Sequence, residues 1–320
     1  MPAWLRNSRG IWIAVAVAMM AIPLVFGNGY YLNTLNFVAI YAMPAIGLCL
    51  LVGYCGQLSI SHSAFFALGA YGSAVLSMRY GFDPWVAMAC AQVIVAALSA
   101  VIGRVVLRLR GHYLAIATLS FTIIVEVIIK ELPSLTGGMR GLTGIPPLLV
   151  AGHRLTSDLA FYFLAWPVTL LMLLFALNLA ESRIGRAFRA IREGEKVTGL
   201  LGIDPAKYKN LAFVFSSVCA GIGGSLYAHF VSFVSPAAAS VMFAIDIIMV
   251  LAFGGFDRLW GAMIGVAALT YLNEYAVAFA DYKRVVFGAA LVVIMLLFPA
   301  GLLPGLIGMA RAVFARAKAF

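Results

Sequence analysis

Few residues in this chain have the chemistry for more than packing, and they fall in two settings. The first is a basic block, ESRIGRAFRAIREGEKVTGLLGIDPAKYK (residues 181–209), which holds seven of the chain's 22 Lys and Arg. The second is a thin scatter of polar side chains in apolar surroundings: Ser59, Ser61, His62 and Thr118, and the acids Glu126, Asp246 and Glu274. No nucleophile, base and orienting acid assemble from these with any specificity. His62, His112, His153 and His229 form no pair at metal-ligand spacing, and the four cysteines contain no C-x-x-C. Cys49, Cys55, Cys90 and Cys219 lie in or beside apolar runs and read as small buried apolar residues. No metal site is expected.

The surroundings explain the scarcity. The chain is 64% hydrophobic and 11% charged, against about 45–50% and 25% in a soluble domain. Its apolar runs are continuous and of helix length rather than alternating, which excludes an outer-membrane barrel. The fold class expected is an all-α polytopic membrane protein, one transmembrane domain over residues 1–320. Ten spans are expected, at 11–26, 33–51, 57–78, 84–103, 113–130, 159–180, 209–233, 239–255, 259–279 and 284–300, the third and eighth being the weakest. The first is read as a retained helix rather than a cleaved signal peptide. With the N-terminus inside, 16 of the 22 Lys and Arg fall in inside segments, as the positive-inside bias demands. Both termini are then cytoplasmic, 181–208 is an inside segment and 131–158 is an outside, periplasmic loop whose glycines and prolines forbid a long helix. The net charge of +10 is explained by this bias and calls for no nucleic acid. The Gly53/Gly56 and Gly254/Gly255 turns, each between two spans, are a candidate internal repeat.

Charge at bilayer depth costs about 2.5–3.5 kcal/mol on insertion scales, so each acid there needs a reason. Glu126 and Glu274 lie toward outer span ends, where interfacial placement suffices. Asp246 lies mid-span and must face protein or water, either as an inter-helix hydrogen bond or as part of a solute path. His62 fits a packed histidine or a broken helix end that could meet a zwitterionic solute. Ser59, Ser61, His62, Thr118 and Asp246 are the candidates for a translocation path.

In the basic block, Ile184, Phe188 and Ile191 share a narrow helical stripe, and Arg183, Arg186, Arg189 and Arg192 fan across the other half. Gly194 interrupts the helix. A second segment from Glu195 offers Val197, Leu200 and Leu201, and Gly202 ends it. Asp204-Pro205 is an N-cap with proline at N1. Two readings fit: an interfacial helix held by anionic lipid, or a rigid knob that docks a cytoplasmic partner.

The block also resembles a known signature. Ser182-Arg183-x-Gly185-Arg186-Ala187-Phe188-x-Ala190-Ile191-Arg192-Glu193, with Gly202-Ile203, Lys209, Ala212-Phe213 and Ala220-Gly221, is similar to the branched-chain amino-acid ABC permease family, LivM type. Gly53-Tyr54-x-Gly56-Gln57-Leu58-Ser59, Gly111-His112-Tyr113, Thr136-Gly137-Gly138, Gly254-Gly255 and Pro299-x-Gly301-Leu302 continue the resemblance, over residues 35–305. It implies an importer subunit in a bacterial inner membrane, paired with a LivH-type permease, two cytoplasmic ABC ATPases that bind the ATP and Mg, and a periplasmic substrate-binding protein. This chain carries no G-x-x-x-x-G-K-[ST] motif and is expected to be a transport subunit without cofactor, not an enzyme. The resemblance makes Arg183, Gly185, Arg186, Phe188, Ile191, Arg192, Gly194, Glu195, Lys196 and Gly202 the ATPase-coupling segment. Where importers have Glu-Ala-Ala before the coupling glycine, this chain has Lys196-Val197-Thr198. Relatives carrying urea or short amides leave the solute open, and an ion-coupled secondary transporter is the more distant alternative.

Overall fold

A computed structural model describes residues 29–150 and 152–275, with Met19, Pro23 and Gly288. The expected spans 11–26 and 284–300 and both termini lie outside the described residues. Each of the other eight spans meets a helix: α1 (Gly29–Leu48), α2 (His62–Arg79), α3 (Pro84–Val106), α4 (His112–Glu131), α6 (Asp158–Glu181), α8 (Pro205–Val231), α9 (Val241–Gly254) and α10 (Leu259–Tyr275). Between them lie a four-residue α5 (Pro133–Thr136) and the basic helix α7 (Arg183–Leu200). Among the described residues, five helices are long and apolar enough to cross a bilayer: α1 with its π-helical extension to Tyr54, α3, α4, α6 and α8.

The two weakest spans depart from simple crossings. The third begins at His62, because residues 56–61 leave the helix and run irregularly. The eighth, α9, has 14 residues and is about 21 Å long, short of the roughly 30 Å hydrocarbon layer. The two halves of the candidate repeat also pack differently. α9 and α10 lie against each other as a hairpin, whereas α1 and α2 both pack on α8.

α8 is the central helix, in contact with α1, α2 and α3. Its run Ala220-Gly221-Ile222-Gly223-Gly224 permits this. A Cβ on Gly224 would stand 1.9 Å from the Phe66 carbonyl oxygen of α2, and one on Gly69 of α2 would stand 2.1 Å from the Gly221 oxygen. Helices inside a membrane gain little from apolar contact as such, so close backbone approach at small residues is what holds them.

The end segments sort by charge. The turns at 53–56, 107–110 and 255–258 meet α7 at one end, through side chains described below. The opposite end is capped by 131–158: short strand β1 (Leu142–Thr143) pairs antiparallel with β4 (Phe233–Val234), and β2 (Leu149–Val150) with β3 (His153–Arg154). Trp85 Nε1 donates to the Leu149 carbonyl (2.7 Å), and Asn36 Nδ2 to that of Asp158 (2.9 Å). The segments grouped on one side by their basic residues therefore do gather at one end.

Gly224→Ala is expected to destabilise the fold by about 1–3 kcal/mol, the usual range for overpacking, because backbone is what must move. Gly199→Ala, on α7 with open space around it, serves as the control. The thermal midpoint of the detergent-solubilised chain should fall for the first and hold for the second.

Candidate functional site

The basic end is built around α7. Ser182 caps it, its Oγ accepting from the amides of Ile184 and Gly185. Gly185 has no room for a side chain, since a Cβ there would lie 2.1 Å from the Ala180 carbonyl oxygen. Phe188 and Ile191 are buried, as the amphipathic stripe predicted. At Gly194 the backbone turns extended (φ −174°, ψ 97°), and the helix kinks into the two segments expected. Thr198 braces the kink by donating to the carbonyls of Ala190 and Gly194, both at 2.8 Å. Asp204 caps α8, with Pro205 in its first turn.

The arginines are not a uniform solvated fan. Arg183 and Arg186 are exposed. Arg189 turns back to donate to the Ala180 carbonyl (3.0 Å), with its guanidinium 6.0 Å from the Tyr54 ring centre. Arg192 donates both to the Gly53 carbonyl and to the Asp257 carboxylate. That hydrogen-bonded carboxylate raises the Arg192 pKa above its ordinary value.

Glu195 lies on the inward side of the second segment. One oxygen is 3.0 Å from Lys209 Nζ and the other 3.4 Å from Arg110 Nε. Lys209 is only 2% exposed, and also donates to the Leu107 carbonyl at 3.3 Å. This charge cluster ties α7 to the start of α8 and the end of α3. Lys196, Val197, Gly199, Leu200, Leu201 and Gly202 face outward instead. Leu200 is 88% exposed and Leu201 74%. Gly202 has φ +81° and nothing within 4 Å of a Cβ.

The candidates for a translocation path divide in two. Ser59, Ser61, His62 and Thr118 form one buried cluster. Thr118 Oγ1 accepts from the Ile60 amide (3.0 Å) and Thr122 Oγ1 donates to the Ile60 carbonyl (2.9 Å). Ser59 and Ser61 hydroxyls are 2.9 Å apart, and His62 Nε2 is hydrogen-bonded to Ser216 of α8. Ser59, Thr118 and Thr122 take up backbone groups freed where the helix breaks, as a membrane interior requires.

Asp246 is elsewhere, in a cleft of about 420 Å³ between α1, α9 and α10. From α9 come Phe243, Asp246, Ile247 and Val250, from α1 Phe37 and Tyr41, and from α10 Val266, Leu269, Thr270 and Asn273. On α9 and α10 the spacing is i, i+3, i+4, i+7, one helical face. Of the other acids, Glu126 is paired with Lys130 at 2.6 Å on its own helix, and the side chain of Glu274 lies outside the described residues. Among those residues no group of His, Cys, Asp and Glu is arranged to hold a metal ion.

A kinked helix is thus tied by charge to three turns below a carboxylate-bearing cleft. The family model for "Branched-chain amino acid transport system / permease component" matches residues 30–295. The chain belongs to this permease family. It is 30% identical over 315 residues to the high-affinity branched-chain amino acid transport permease LivM of Escherichia coli K12, covering 91% of this chain and 74% of that one. It is also 30% identical over 290 residues to LivH of the same strain (85% and 93% covered), and 28% identical to BraD of Pseudomonas aeruginosa (85% and 94% covered). No solved structure matches.

Reading the sequence alone missed the partners Arg110, Lys209 and Asp257, and the polar pair Thr270 and Asn273. The last two sit one turn apart in an otherwise apolar run, which was the available signal.

Glu195→Gln should destabilise the chain by about 3 kcal/mol, the low end for breaking a buried pair, because Lys209 is left charged and enclosed. Glu195→Gln with Lys209→Met should recover most of it. Thermal midpoints of the purified proteins decide this.

Proposed function

We propose that this chain is one of two membrane subunits of an ATP-driven importer for branched-chain amino acids in a bacterial inner membrane. Its basic end faces the cytoplasm. Two cytoplasmic ABC ATPases, which bind ATP and Mg, dock on α7; a LivH-type permease stands beside this chain; a periplasmic binding protein delivers leucine, isoleucine or valine. The observation that carries the reading is α7 itself. Its first segment packs Phe188 and Ile191 into the protein, and the Gly194 kink leads into a second segment whose apolar residues point away from it. Val197, Leu200 and Leu201 do so beside the small residues Gly199 and Gly202, a compact surface of the kind that enters a partner's groove.

The Asp246 cleft supports an amino acid rather than urea as the solute. Its walls are mostly apolar and aromatic, which suits a branched aliphatic side chain that urea lacks. The Asp246 carboxylate matches an ammonium group, and the Asn273 amide and Thr270 hydroxyl are donors for a carboxylate.

Replacing Leu200 with Asp should release the ATPases from the complex while the chain stays in the membrane, which co-purification reads directly. Retained ATPases would return α7 to the role of a lipid-held linker. Asp246→Asn should lower leucine uptake at least tenfold, a loss of about 1.4 kcal/mol, in vesicles where the complex assembles normally. Calorimetry of the cognate receptor with leucine, isoleucine, valine and urea decides the solute.

A further inference from the structure

The Asp246 cleft is closed toward the basic end. Just below Val250 and Val266, the three elements that form it meet backbone to backbone. A Cβ on Gly265 of α10 would stand 2.1 Å from the Val250 carbonyl oxygen, and one on Gly254 would stand 1.9 Å from that of Gly261. At the next level the π-helical end of α1 meets the α9–α10 turn: a Cβ on Gly53 would lie 1.9 Å from the Phe256 carbonyl oxygen. The Cys49 thiol donates to that same oxygen at 3.2 Å. At its glycines this seam is backbone against backbone, so the two edges close tightly when they are held together.

Arg192 joins those two edges. One guanidinium nitrogen donates to the Gly53 carbonyl on one side of the seam and to the Asp257 carboxylate on the other. Its stem covers Gly56, where a Cβ would meet Arg192 Cγ at 3.0 Å. Arg192 stands two residues before the Gly194 kink, on the same helix as the outward-facing Leu200. A shift of the second segment would pull on the residue that bridges the seam.

We propose that Arg192 is a positioning residue that latches an inner gate: it holds the Gly53 and Asp257 edges together beneath the Asp246 cleft, and movement of α7 by its docked partner releases them. The proposal rests on the cleft being the solute path. π-helical turns such as Cys49–Tyr54 are frequent at functional sites, which fits the α1 edge of such a gate. The gate is a seam between packed elements, and seams of this kind switch between discrete arrangements rather than deform continuously.

A cysteine at Val250, labelled by a membrane-impermeant maleimide in inside-out vesicles carrying the assembled transporter, reads the gate without reference to the solute. With ATP absent, Val250→Cys alone should label slowly. Adding Asp257→Ala, a change at a side chain that is 66% exposed and does not threaten the fold, should raise the rate several-fold, as should Arg192→Ala. Asp257→Glu should keep it slow. Fast labelling with Val250→Cys alone, or an unchanged rate after Asp257→Ala, overturns the latch. Leucine uptake by Asp246→Asn in right-side-out vesicles, supplied with receptor outside and ATP inside, separates the two ideas. Unimpaired uptake there sinks the cleft as the solute path, while the labelling result independently decides the gate.

Discussion

Carbonyl oxygens of neighbouring helices occupy the places where side chains of α8 and α2 would begin, and the rest of the molecule depends on that contact. Gly224, with Gly69 opposite, lets α8 lie directly on α2, and Gly221 faces Gln92 and Val95 of α3. On a third flank a Cβ at Gly47 of α1 would stand 2.7 Å from the Ser216 carbonyl oxygen of α8. In a bilayer the lipid is as apolar as leucine, so shape at short range does the work that water exclusion does elsewhere. Because α8 is fixed from three sides, its first turns are a fixed anchor. Lys209 sits there, held by Glu195 and the Leu107 carbonyl. The position of the second segment of α7 is thus set by glycines several turns away.

This arrangement divides the polar residues by task. Those that repair backbone are enclosed: Thr118 and Thr122 at Ile60, Thr198 at the kink. Arg192, Glu195 and Lys209 instead join elements by ion pairs at the basic end. Asp246 lies on the helical face that lines the cleft. Of five residues that looked alike on sequence as path candidates, Ser59, Ser61, His62 and Thr118 are buried around the helix break, and Asp246 lines a cleft.

Legibility followed the reach of the interactions. The α7 stripe, the Gly194 interruption and the Asp204-Pro205 cap depend on neighbours within a turn, and each was readable from spacing. The shared side of the basic segments was readable too, since it rests on charge counts. What spacing cannot carry is a partner far along the chain. Arg192 reads as one more basic residue of a solvated fan until Gly53 and Asp257 arrive beside it, and Glu195 reads as an ATPase-facing acid until Lys209 and Arg110 do. The break at residues 56–61 was blurred because its serines are tolerated in membrane helices, so hydropathy passed smoothly through it.

The two charged joints on α7 differ in a way that fits opposite roles. The Glu195–Lys209 pair encloses a lysine that is 2% exposed, and opening it would strand a charge at a cost of about 3–5 kcal/mol. The Arg192–Asp257 pair leaves its side chains 41% and 66% exposed, and exposed pairs contribute about 0.2–1 kcal/mol. A transport cycle can break the second at each turnover and has little reason to break the first. The buried joint then serves as the pivot, keeping the second segment of α7 attached to α8 and α3 while it tilts. The exposed one serves as the contact that opens. Such a lever needs a fulcrum that does not yield and a load that does, and the burial of Lys209 against the exposure of Asp257 supplies both on one helix.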